Sequence, residues 1–155
     1  MKKLVASLLI LVSILSLIGC STKSFSRDGI TLTLSKEFIE AELPDIKDAH
    51  VSYTSQKAKV AVFKDKHGTI AYSLREYAGQ WMLANNAVVV GEVSEDGDIV
   101  TVTHKITYLG NTNIVYTAFY DNGEYFWIVQ FFCLEEDYGF CSPYFAEWAK
   151  KVKFN

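Results

Sequence analysis

The sequence is short of the groups that most chemistries need. Its three histidines, His50, His67 and His104, stand in separate segments with no ligand spacing among them. It has no Gly-x-Ser-x-Gly nucleophile elbow, no His-Glu-x-x-His helix, no phosphate-binding glycine loop and no dinucleotide fingerprint. Standard hydrolase and nucleotide-enzyme readings lose their support, and no catalytic residue, metal site or cofactor is expected. Basic charge is scarce too. Lys and Arg number 15 against 18 Asp and Glu, and Lys2 and Lys3 belong to an N-terminal leader described next. The rest of the chain carries 13 basic and 18 acidic residues, a net of −5. With no basic stripe to neutralise phosphates, a nucleic-acid partner is excluded.

One long apolar run is present. Leu4 to Ile18 is interrupted only by Ser7, Ser13 and Ser16, follows Lys2 and Lys3, and ends at Gly19 and Cys20. That is the charged head and apolar centre of a secretion signal. A spanning helix needs about 20 apolar residues, so the run is too short for one. Leu17, Ile18, Gly19 and Cys20 read as a lipobox, and the segment resembles the leaders of bacterial lipoproteins. The resemblance implies cleavage after residue 19, a diacylglyceryl group on the Cys20 thiol, and a lipid-anchored chain facing outside the cytoplasm. Residues 20–28 are polar apart from Phe25 and are expected to form a tether. Residues 29–155 then form a single domain, since two would each be too small to bury a good core.

Cys133 and Cys141 remain as an even pair in an exported chain, which predicts a disulfide worth roughly 2 to 3 kcal/mol; two unpaired thiols are the alternative.

Ile30, Leu32 and Leu34 alternate with Thr31 and Thr33, the pattern of a half-buried strand. Ser35 to Glu42 is expected to make a helical turn ended by Pro44, and Val51–Ser55 and Lys57–Lys64 read as short strands. Ser73 and Glu76 form a capping box. Leu74, Tyr77, Ala78, Trp81 and Met82 follow at helical spacing, and the helix should run to about Ala84. Four strand-like runs come next, Ala87–Val93, Ile99–Thr107, Ile114–Tyr120 and Tyr125–Cys133. They are separated by Asp96-Gly97, Gly110-Asn111 and Asn122-Gly123, taken as two-residue hairpin turns. Both faces of the last run are apolar, so it should be a central strand. Ser142 as cap and Pro143 at the first position open a closing helix with Phe145, Trp148 and Val152 as its apolar stripe.

The three turns set a register that divides the meander into two faces. Val89, Val93, Val100, Val102, His104, Ile106, Val115, Thr117, Phe119, Phe126, Ile128 and Gln130 share one, expected to be the main core. On it His104 lies beside Thr117 and near Gln130, either as a satisfied core histidine or as part of a small polar ligand pocket. The other face carries Lys105, Tyr116, Tyr120, Tyr125 and Trp127. Fifteen of the 22 aromatics lie between Tyr108 and Phe154, and Tyr and Trp are favoured at interfaces. These five residues are therefore candidates for a partner-binding groove, unless they pack beneath the closing helix. The acidic turns at Glu95, Asp96 and Asp98 and at Glu135, Glu136 and Asp137 lack an EF-hand frame and read as solvated turns.

The early Gly29-Ile30-Thr31-Leu32 strand, the aromatic hairpin from Ile114 to Cys133 and the closing Phe145, Trp148, Ala149, Val152 and Phe154 give an order of elements that resembles the PsbP-like (DcrB-like) group over about Phe25 to Phe154. Where the group tends to have a proline and a tryptophan after its first strand, this chain has Ser35, Lys36, Glu37 and Phe38. The resemblance implies an α+β fold, an antiparallel meander covered by helices on both faces. It also implies a non-enzymatic binding or assembly protein, here with another envelope protein as partner. A small-ligand or metal-handling lipoprotein and an envelope hydrolase are the alternatives.

Overall fold

The computed structural model describes residues 21–108 and 110–155, so the leader and Cys20 lie outside the described residues. The strands are β1 (Thr22–Arg27), β2 (Ile30–Ser35), β3 (Ile39–Glu40), β4 (Val51–Thr54), β5 (Lys59–Lys66), β6 (Val88–Val89), β7 (Ser94–Asp96), β8 (Ile99–Tyr108), β9 (Asn111–Asp121), β10 (Tyr125–Leu134) and β11 (Lys153–Phe154). The helices are α1 (Leu74–Ala84) and α2 (Tyr138–Lys150), the latter entered through a 3-10 turn at Glu135–Asp137. All pairing among the described strands is antiparallel. The large sheet runs β3-β4-β5-β10-β9-β8-β6, with β7 also on β8, and β1-β2-β11 form a small second sheet. The fold class is thus mixed α+β, antiparallel sheets with a helix on each side.

β10 is central, between β5 and β9, and is buried from Phe126 to Cys133. On one side α2 and the small sheet cover it. Ile30, Leu32, Leu34, Tyr53, Tyr120, Trp127, Val129, Phe131, Phe145 and Trp148 belong to that core. On the other side the cover is split. The stripe of α1 sits over Val100, Val102, Phe119 and Ile128, while Ile46 and Ala49 of the β3–β4 connection sit over Ala61, Val115 and Phe132. The expected main core is therefore the smaller of the two. The closing helix, with Tyr138, Tyr144, Phe145 and Trp148, brings far more aromatic surface to its side than α1 brings to the other.

Val89 pairs with His104 in the expected register, but beside each of the three turns the observed register differs from the expected one by two residues. Asp96 pairs with Ile99, Tyr108 with Asn111, and Asp121 with Phe126. At the last turn, the Asn122 side chain accepts from the amides of Glu124 and Tyr125, which builds a four-residue loop in place of the two-residue one. A shift of two preserves which face each residue occupies.

α1 begins at Ser73 with its capping box intact and ends before Asn86, whose φ is +50°. Residues 20–28 do not form a tether in the described part. From Thr22 they make β1, closed onto β2 by an Asp28-Gly29 turn in which both residues have positive φ. Within residues 35–42, where a helical turn was expected, Ile39 and Glu40 make β3 by pairing with Thr54 and Tyr53. Helix α2 starts four residues before Ser142, leaving Pro143 inside it.

Candidate functional site

The split cover on the α1 side leaves a gap, and the gap is a cavity of about 570 Å³. The C-terminal end of α1 supplies Trp81 and Asn85, the β3–β4 connection supplies Asp45, Ile46 and Lys47, and the sheet supplies a floor that includes His104, Ile128 and Gln130. The structure brings the expected polar trio together there. His104 Nε2 lies 2.9 Å from Thr117 Oγ1, and the Gln130 amide donates to the same oxygen at 3.4 Å. In the ladder His104 pairs with Val115, so its contact with Thr117 is diagonal, within reach of a ring side chain. His104 is 2% exposed, Gln130 5% and Thr117 0%. Burial, with no carboxylate to offset it, lowers the His104 pKa to about 4. The ring is neutral at pH 7, and Trp81 meets it edge-on at 6.2 Å.

The other candidate face does not form a groove. Tyr120 is 4% exposed and Trp127 2%. The Tyr120 hydroxyl donates to the Ala149 carbonyl at 2.8 Å, which ties the last turn of α2 to β9. Trp127 packs against Phe154, Tyr125 and His50, and Tyr116 lies between Phe131 and Phe145. Lys105 is drawn to Glu135, and Tyr125 carries Lys64 over its ring. Tyr120 and Trp127 are core, covered by α2 and β11, and Tyr116 and Tyr125 pack against that core, partly buried.

The disulfide is also corrected. Cys133 and Cys141 are buried free thiols 4.0 Å apart, well beyond the roughly 2.05 Å of an S–S bond. They pack in the α2 core as small apolar groups, and burial pushes the Cys133 thiol up to about 12. The acidic turns are occupied by cations from other elements. Arg75 meets Glu95 at 3.3 Å, Lys150 meets Asp96 at 2.8 Å and Lys57 meets Asp137 at 2.8 Å. No cluster of His, Cys, Asp and Glu among the described residues fits a metal ion. His50 is half-buried against Trp127 and His67 stacks on Phe126, so neither is a freely solvated loop residue.

A second feature escaped the sequence reading. Tyr72, Leu83, Val88, Val89 and Val90 are 38% to 73% exposed beside α1. Tyr72, Met82, Leu83, Ala87 and Val89 line one shallow depression, and β6 ends the large sheet. The signal was Leu83, an apolar residue off the helix's buried stripe, next to a valine run apolar on both sides.

A meander of this order, with a helix on each side and a small N-terminal sheet, is the PsbP-like fold. The chain superposes on cyanobacterial PsbP (CyanoP) of Synechocystis sp. PCC 6803 with a TM-score of 0.68 at 11% identity, over 88% of this chain and 94% of that one. The Saccharomyces cerevisiae Ran-binding protein Mog1p gives 0.61 at 9% identity, over 87% and 96%. LpqN of Mycobacterium tuberculosis, involved in cell envelope biogenesis, gives 0.54 at 12%, over 87% and 91%. At such identities the likeness shows the fold. No protein-family model matches the chain, and no curated protein matches it in sequence.

Proposed function

We propose that the chain is a lipoprotein of the bacterial envelope, anchored through a diacylglyceryl group on Cys20 on the outer side of a membrane, whose domain works as a non-enzymatic protein-binding module. The exposed Tyr72, Leu83 and Val89, which line one depression, carry the reading, with exposed Val88 and Val90 on either side of Val89 in the chain. Contiguous apolar side chains at a surface mark interaction sites. The strip adjoins a sheet-edge strand, where the main chain of a partner can add. Two fold neighbours support a partner of this kind, Mog1p as a Ran-binding protein and LpqN through its part in cell envelope biogenesis. The Ser21 carbonyl already accepts from the Lys36 amide at 2.9 Å. A lipid on Cys20 would therefore hold the small sheet directly at the bilayer, with no slack between anchor and domain.

Detergent-phase partitioning with an alkyne palmitate analogue tests the anchor. The native chain is expected to enter the detergent phase and take the label, and Cys20→Ser to remain unprocessed and unlabelled. Native protein recovered unlabelled in the aqueous phase would contradict the reading.

A further inference from the structure

The lining of the cavity between α1 and the β3–β4 connection includes the His104 ring, one nitrogen of which makes no hydrogen bond to the described residues. The Thr117 hydroxyl has a single proton. Its oxygen accepts from the Gln130 amide, and among the described residues the acceptor within reach of its proton is His104 Nε2, at 2.9 Å. Giving the Thr117 proton to Nε2 satisfies it and places the proton of the neutral imidazole on Nδ1. That Nδ1–H is buried and has no partner among the described residues. An unpaired buried donor is costly, and native interiors keep few of them.

The surroundings of this donor define what could take it. Phe63, Trp81, Ile128 and Phe132 give the cavity flat apolar walls. Its charged residues are spent or turned to water. Asp65 accepts the Tyr77 hydroxyl, Lys105 is held by Glu135, and Asp45 and Lys47 are exposed. An ion placed on the His104 floor would lose hydration with no counter-charge to replace it. A neutral molecule would not. The volume, about 570 Å³, lies within the range of small-molecule sites.

We propose that this cavity is a binding site for a small, uncharged, planar organic molecule. A carbonyl or ring-nitrogen acceptor on the ligand takes the Nδ1–H of His104, and its ring lies against Trp81 and Phe63. The site meets the strip beside α1 at Ala87 and Val88, and it does not depend on the lipid anchor.

The test uses the full-length chain in detergent micelles with ¹⁵N-labelled histidine and tryptophan, and it has two arms. In the free protein the His104 imidazole should be the Nδ1–H tautomer, read from its two nitrogen shifts; the Nε2–H tautomer overturns the proposal without any mutation. Benzamide, benzoate and benzylamine are then titrated. Benzamide should shift the His104 and Trp81 ring signals and bind at least about tenfold more tightly than either ion. Equal or tighter binding of an ion, or no shift with benzamide at about 10 mM, overturns it.

Discussion

Between pH 6.5 and about 4 the protein is expected to lose about 3 kcal/mol of stability through His104 alone. The folded-state pKa is lowered to about 4 by burial, from the 6.5 of the unfolded chain. Between those values the unfolded state binds a proton that the folded state refuses, so stability is full above pH 6.5 and falls as pH drops. The slope in that window is about 1.4 kcal/mol per pH unit. His50, also lowered chiefly by burial, acts in the same direction. Urea denaturation at intervals from pH 7.5 to 4 reads the slope, and an NMR titration of His104 assigns it. The His104 ring signals should stay those of a neutral imidazole well below pH 6. A His104 that titrates between pH 6 and 7, or a flat stability profile, would show that the ring is solvated and the cavity differently built.

Trp127→Ala is expected to cost about 3 to 5 kcal/mol, the range for removing a large aromatic from a packed core. Trp127 is 2% exposed, with Phe154 at 5.7 Å, Tyr125 at 6.2 Å and His50 at 5.7 Å between ring centroids. A further neighbour is backbone. The position a Cβ would take on Gly29 is 3.8 Å from Trp127 Cζ2, and Gly29 has φ +101°, a conformation that strains other residues. Trp127 thus holds the β1–β2 turn and β11 against β10, and its loss should loosen the small sheet first. Chemical denaturation measures the total, and hydrogen exchange shows whether β2 and β11 amides lose protection together. A cost below 1 kcal/mol would mean that Trp127 is peripheral, the role a partner-binding groove would have given it.

The two faces of the meander were legible in the sequence because alternation has period two, and a register error of two residues leaves every side chain on its side. That is why His104, Thr117 and Gln130 meet although the expected cross-strand partners were offset. Which face would be better covered was not legible. It depends on what α2 and β2 bring from distant parts of the chain, and Tyr120 and Trp127 have the same alternation whether α2 or a partner covers them. The hairpin at Asp28-Gly29 carried a local signal, the favoured Asp-Gly pair, but the polarity of Ser21–Arg27 masked it. β1 is an edge strand of a small sheet with mainly Phe25 turned inward, so it has little of the apolar pattern that marks buried strands. Pro143 misplaced the start of α2, since a proline is more common at a first helical position than inside a helix. The neutral, unpartnered Nδ1 of His104 needs three strands and a helix in place before it can be seen.

As a protein-binding module, the domain would present its contact face beside α1. The most direct measurement places a photo-crosslinking residue at Leu83 in the full-length protein in living cells, with Glu147 on α2 as the control position. One discrete protein adduct is expected from position 83, lost when Val89→Glu is added to a still-folded chain, and none from position 147. Adducts of equal yield from both positions, or an adduct from position 83 that survives Val89→Glu, would contradict it.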